Sequence, residues 1–324
     1  MILPSDDYLH PRDNDPYWNE SSWISFMIPE RKLTGHVYFY HRPNLGYIVG
    51  GVSVWDPSGE YPWDCLHYDW GDPYPMSATV DMYDFTLPNG LTVELIEPLK
   101  SFRFKYKNAQ HGSYENTDCE LDAVWEALMP PHDTGLPQGQ DEWGRGHYEQ
   151  PGRMRGTLRI GGETIKLDCF SERDRSWGRR RVANNPRGFF PWAIASEKSA
   201  FHVFGPSTAD PRTDDGMGPD RIASGWYLKD GVCGSLVSGE RTMLERGADG
   251  RPLRVRIDAT DDLGRTFEAV GHTTNMLVWP GYSYLYMWWA QVEWQFDGQT
   301  CYGEEQDWWP NQQARKFLRK RRGL

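Results

Sequence analysis

Apolar residues recur at every second position through much of this chain, and that period decides what it can fold into. From Arg153 to Ile160, the residues Met154, Gly156, Leu158 and Ile160 are apolar or small, whereas Arg153, Arg155, Thr157 and Arg159 are polar. Gly161-Gly162 follows, and then Ile165, Leu167 and Cys169 alternate with Thr164, Lys166 and Asp168. Two alternating runs joined by a two-glycine turn specify a β-hairpin with one face turned to a core. Phe102, Phe104 and Tyr106 repeat the pattern against Arg103, Lys105 and Lys107, as do Cys119, Leu121, Ala123 and Trp125 against Glu120, Asp122 and Glu126. Leu253, Val255, Ile257 and Ala259 form another run. Trp288, Ala290, Val292, Trp294 and Phe296 share one side of a strand, opposite Gln291, Glu293 and Gln295. No segment of helical period separates the runs, so the chain predicts an all-β protein built as antiparallel meanders or barrels.

The pattern stops between Met129 and Gly146, where Pro, Gly and charge dominate, and this stretch reads as a linker. The expected organisation is a first β-barrel domain over 1–146 with the linker at its end, a second over 147–310, and a basic tail or short helix over 311–324. A chain of 324 residues has room for both domains. The polar run Gly205–Arg221 reads either as a lid or binding loop, or as a tolerated surface insertion.

Core volume comes from rings. The hydrophobic share is 38%, yet there are 16 Trp, 17 Tyr and 13 Phe to fill a barrel or line a cavity for a flat, greasy ligand. A net charge of −11 argues against nucleic acid as a partner, because phosphate attraction needs a basic face. The basic residues at the end of the chain, Arg315-Lys316 and Arg319 to Arg322, read as a solvated tail rather than an anionic-surface contact. Five dispersed cysteines without a CxxC suit reduced thiols, and the first residues lack the apolar stretch of a signal peptide. No apolar run approaches the ~18 residues of a membrane span. A cytoplasmic protein is expected, with a homodimer as a permitted assembly.

The stretch HYEQPGRMRGTLRIGGETIKLDCFSERDRSWGRR (His147 to Arg180) resembles the lipocalin-like, two-domain family of carotenoid hydratases (hydroxyneurosporene synthases) and fungal cyclisation enzymes. YFYHRPNLGYIVGGVSVWDPSGE (Tyr38 to Glu60) is similar to that family's first barrel and CYGEEQDWW (Cys301 to Trp309) to its last strand. The resemblance implies two lipocalin-like antiparallel β-barrel domains packed together, and it implies lyase chemistry. Of these stretches, the RDRSWG core is the specific one.

Chemistry has three candidate centres. Asp174, with Arg175 and Trp177, follows the hairpin directly; a carboxylic acid beside an indole in an apolar cavity holds its proton and can deliver it. The same residues equally describe a buried Asp–Arg pair bracing a strand end, with Trp177 as filler. On the closing strand, alternation puts Glu305 and Asp307 on one face, and turned inward they form an acid–base pair. Turned outward they are a solvated face. His67, in the run Asp64–Trp70, is a candidate general base or a loop histidine. His147 ranks above the other histidines because it opens the family-like stretch. Tyr227, Tyr284 and Trp288 are candidate substrate contacts, alongside Arg175 and Asp307, although core packing also accounts for them.

No HExxH, HxxxH or paired-cysteine spacing occurs, so neither a metal site nor any other cofactor is expected. GxGxxG, GxxxxGK[ST] and GxSxG are also absent. These features point to a cofactor-independent enzyme using acid–base catalysis on a hydrophobic or aromatic small molecule, and the resemblance implies that it is a lyase: a hydratase, dehydratase or related eliminase. A non-catalytic carrier of hydrophobic ligands and a carbohydrate-active enzyme with paired acids are the alternatives.

Overall fold

The computed structural model describes residues 1–77, 79–108, 118–134, 146–180, 187–206, 216–280 and 284–324. Internal contacts divide the chain into two units, Met1–Val182 and Ala183–Leu324. Among the described residues, each is built on one antiparallel sheet.

In the first unit the strands are β1 (Trp18–Ile28), β2 (Leu33–Arg42), β3 (Tyr47–Trp55), β4 (His67–Asp69), β5 (Pro73–Pro75), β6 (Asp84–Thr86), β7 (Thr92–Glu97), β8 (Ser101–Lys107), β9 (Cys119–Ala127), β10 (His132–Asp133), β11 (Gly146–Ile160) and β12 (Glu163–Arg179). They run in the order β4-β3-β2-β1-β12-β11-β9-β8-β7-β6, with β5 added to β3 and β10 to β11. This sheet is curled. His67 on β4 meets Tyr106 on β8 at 2.9 Å, Asn89 donates to the Gly50 carbonyl at 2.9 Å, and the Phe39 and Phe85 rings lie 5.1 Å apart. The alternating apolar residues Phe102, Phe104, Leu121, Ala123, Trp125, Met154, Leu158, Ile165 and Leu167 all enter the one core that it wraps.

The β11–β12 hairpin is the longest feature of this unit. Its register runs without a break from Gly146↔Trp177 to Ile160↔Glu163. Gly161 and Gly162, with φ of 59° and 79°, supply the left-handed pair that a two-residue hairpin turn demands. The second strand therefore does not end near Cys169 as its clean alternation suggests, but carries the whole SERDRSWG run as strand. The pairing also corrects the domain boundary. Residues 147–179 lie between β9 and β1 in the first sheet, so the division falls at Val182/Ala183 and not at Gly146/His147. Residues 135–145 of the expected linker and 207–215 of the expected lid lie outside the described residues. Strand β1 is missed by pattern reading because ten of its eleven residues are buried, which removes the alternation.

The second unit contains β13 (Gly188–Ser196), β14 (Ser199–Pro206), β15 (Asp220–Arg221), β16 (Ser224–Lys229), β17 (Val232–Arg246), β18 (Pro252–Asp261), β19 (Thr266–Trp279), β20 (Leu285–Phe296) and β21 (Gln299–Pro310). Eight of them follow the order β17-β16-β14-β13-β21-β20-β19-β18, and β18 pairs back onto β17, closing a barrel. Helix α1 (Asn311–Arg321) follows β21 and docks on the barrel: Phe317 stacks on Trp309 at 4.5 Å, and Ala314 is buried.

Close approach explains one glycine of the hairpin. A Cβ on Gly152 would sit 2.2 Å from the buried Trp125 ring, whose Nε1 donates to Ser171 Oγ at 3.1 Å. Gly152→Ala is therefore expected to destabilise the first unit by roughly 1–3 kcal/mol through overpacking. Urea titrations of Gly152→Ala, Trp125→Phe and the double variant check this, and strictly additive losses would show that the two positions do not collide.

Candidate functional site

Because β12 continues as strand through its RDRSW run, successive side chains point to opposite faces. Arg173, Arg175 and Trp177 share one face, and Asp174 lies on the other. Sequence proximity had grouped Asp174 with Arg175 and Trp177. The structure separates them.

Arg173 points into the core of the first unit. It pairs with Asp7 at 3.0 Å, donates to Gln150 Oε1 and Tyr83 OH at 2.9 Å each, and sits 4.3 Å from the Phe102 ring centroid. Arg175 pairs with Glu20, which also accepts from Trp18 Nε1 at 3.2 Å, and it donates to the Tyr8 carbonyl at 3.0 Å. Trp177 stacks on His10 with centroids 4.1 Å apart and planes within 9°. Arg175, beside Glu20, pulls that carboxyl down to about 2 against the upward push of burial. These groups pin residues 6–10 to the sheet. They are bracing.

The opposite face carries a different set. Glu149 stands directly across from Asp174 in the β11–β12 register, and His147 lies two residues before Glu149, on the same side. Donor atoms of His147, Glu149 and Asp174 all fall within 4.8 Å of one another. His147 Nε2 is hydrogen-bonded to Glu149 Oε1, while Glu149 Oε2 is buried without a hydrogen-bond partner. Asp174 is fixed by a gap in the neighbouring ladder. Pairing of β1 with β12 runs from Trp18↔Arg179 to Ser21↔Ser176 and resumes only at Ile24↔Arg173. In between, Asp174 Oδ1 accepts the Trp23 amide at 2.8 Å, and Ser22 Oγ donates to the Asp174 carbonyl.

Burial sets the protonation of this trio. It lowers His147 to about 4, so the imidazole is neutral at pH 7. It raises Glu149 well above the usual carboxylate range, with the Asp174 charge adding to the push and Arg173 opposing it. Asp174 is raised as well, held back by His147 and the Trp23 amide. A neutral imidazole bonded to a protonated carboxyl can accept a proton at one atom and release one at another. The three donors are also close enough to hold a divalent cation, although the His147–Glu149 hydrogen bond already joins two of them through a proton.

The Glu305–Asp307 face points into the second barrel, toward arginines. Asp307 pairs with Arg246 at 2.6 Å, Glu305 with Arg241, and Asp220 with Arg187 at 3.2 Å and Arg241 at 3.3 Å. All six side chains are buried, three of each sign. Burial pushes Glu305 up to about 7 although Arg241 opposes it, whereas Arg246, Arg241 and Arg187 hold Asp307 below its ordinary value despite burial. Arg187 also lies over the Trp309 ring at 4.1 Å.

The remaining candidates occupy separate places. In the first unit, His67 bonds to Tyr106 OH, which donates to Asp69 at 2.6 Å. In the second, Tyr227 packs on Phe267 at 4.7 Å, Trp288 lies 6.3 Å from Phe317, and the Tyr284 carbonyl accepts the Asn311 amide at 2.8 Å. Tyr227 and Trp288 are core. Glu149 was the missed residue of the trio, and strand alternation extended past Cys169 would have found it. Glu304 was also missed: it accepts Trp289 Nε1 at 2.8 Å and Trp192 Nε1 at 3.3 Å, partners on two other strands with no sequence signature.

A profile of a family described as a domain of unknown function, DUF7064, matches residues 3–309. The chain belongs to that family. Curated protein sequences give no match. Among solved structures, this chain is similar to a protein assigned as AttH from Nitrosomonas europaea, with 16% identity, a TM-score of 0.59, and coverage of 95% of this chain and 96% of that one. It is also similar to kievitone hydratase from Nectria haematococca, with 14% identity, a TM-score of 0.53, and coverage of 90% and 87%. Both likenesses span the two units and establish the lipocalin-like two-barrel fold.

The buried charges of the second barrel yield a direct expectation. Arg241→Met strands Glu305 and is expected to cost roughly 3–5 kcal/mol, whereas Arg241→Met with Glu305→Met removes a balanced pair and restores most of that loss. Urea unfolding of both variants reads the difference, and a double variant as weak as the single one would contradict the pairing.

Proposed function

We propose that this protein is a lyase that adds or removes water, or a related small group, across a double bond of a hydrophobic or aromatic small molecule. Glu149 acts as general acid, His147 as its proton partner, and Asp174 orients the imidazole. The observation that carries this reading is the cluster of three proton-active groups within 4.8 Å, Glu149 fully buried and His147 and Asp174 largely so, with an uncommitted carboxyl oxygen on Glu149. Support comes from the hydratase among the structures of similar fold. Hydration needs a proton delivered to carbon and a proton drawn from water, and a neutral imidazole next to a protonated carboxyl supplies both. Glu305 and Asp307 are already neutralised by arginines inside their barrel, so they lend no support to a glycosidase mechanism.

Turnover of a panel of terpenoid, polycyclic and lignin-type alkenes in 18O-labelled water, read by mass spectrometry, tests the reaction class. Once a substrate is found, Glu149→Gln and Asp174→Asn should each lower kcat by about 10²-fold or more, with Tm little changed for Glu149→Gln. A carrier protein would instead show altered Kd and no product. kcat/KM should fall as pH drops through about 4, where His147 takes a proton and ceases to act as base. Activity is expected to survive chelation and dialysis. Loss with chelator and recovery with one divalent ion would assign the same trio to a metal instead.

A further inference from the structure

The C-terminal segment is an ordered helix carrying a one-sided array of cations, not a frayed tail. Helix α1 is docked by Phe317, which is fully buried against Trp309, and by Ala314. Arg321 donates to the Gly247 carbonyl at 2.7 Å and fastens its last turn. Arg315, Lys316, Arg319 and Lys320 project from the opposite side and are all exposed. Their spacing of one, three and four residues makes a single stripe, with like charges at i,i+4 that repel rather than stabilise. None of the four has an ion pair among the described residues. Along the stripe runs an open recess of about 560 Å³, lined by these four cations with Gln312 and Leu324.

Charge is segregated along the chain. Residues 311–324 hold six basic side chains and no acid, so the first 310 residues hold the remaining 29 basic and all 46 acidic ones, a net −17. A stripe of four exposed cations without ion pairs among the described residues, on one docked helix of an otherwise net acidic chain, selects an anionic partner and orients the helix toward it.

We propose that the outer face of α1 docks the protein on the surface of an anionic lipid bilayer. The helix offers one flat side, because its apolar side is committed to the barrel. A helix that reads a nucleic-acid groove must enter it, whereas a plane of headgroups meets a flat stripe. The recess admits a headgroup phosphate between the arginines and lysines. With no free apolar face to insert, attachment is electrostatic and reversible. If the proposed lyase reading holds, the location also brings the enzyme to where a hydrophobic substrate dissolves, but docking itself is measured without any substrate.

Co-sedimentation of the full chain with phosphatidylcholine vesicles, with and without phosphatidylserine, tests the surface. Binding at least about tenfold tighter to the anionic vesicles is expected, lost at high salt as surface electrostatics are screened. The variant R315E/K316E/R319E/K320E should lose it, the milder R319Q/K320Q should weaken it, and R315K/K316R/R319K/K320R should keep it, with circular dichroism confirming each fold. Equal binding to both vesicle types, undiminished binding by the glutamate variant, or a shift of duplex DNA without vesicle binding would each overturn the proposal.

Discussion

Arg173 and Arg175 inside the first unit are the constraint on which the rest of its site depends. A guanidinium cannot shed its charge in a core, so each must be met by a carboxylate and filled out with hydrogen bonds. Asp7 and Glu20 meet that need, and Asp7 draws the start of the chain onto the sheet. Once those two arginines point inward, the strand leaves Asp174 no choice of direction. The same pleat that buries the braces presents Asp174, Glu149 and His147 together on the opposite face.

The second barrel handles buried charge in a related way. Arg187, Arg241 and Arg246 face Asp220, Glu305 and Asp307, three against three, and aromatic rings fill the space around them. The two clusters differ in charge balance. In the barrel every carboxylate has a guanidinium at hand, which suits structure. In the His147 trio two carboxyls oppose each other across a hairpin, and protonation relieves the conflict.

The chemistry of a hydratase asks little of its protein beyond such a group and an apolar setting. The aromatic excess of this chain fills the cores of both units, with buried Trp residues on β1, β3 and β9 of the first and on β13, β16, β19, β20 and β21 of the second. The hydrophobic lyase reading therefore rests on chemistry that needs no preorganised metal or nucleotide.

Period-two alternation determined the antiparallel strands, the Gly161-Gly162 turn and the inward direction of Phe102, Leu121, Met154 and Val255, because a half-buried strand writes its two environments into adjacent residues. It did not reveal β1, since a strand buried on both faces has only one environment to record. Nor could it separate Asp174 from Trp177 while the strand was read as ending near Cys169. The domain boundary escaped for a similar reason: the loop around 129–146 breaks the pattern, yet β11 and β12 return to the first sheet through pairings with β9 and β1 that no local signal announces. Partners such as Asp7 for Arg173 or Arg241 for Glu305 lie 166 and 64 residues away. Composition predicts that buried charges will be paired. Which charge answers which is decided only when the sheets curl and bring distant strands within hydrogen-bonding distance.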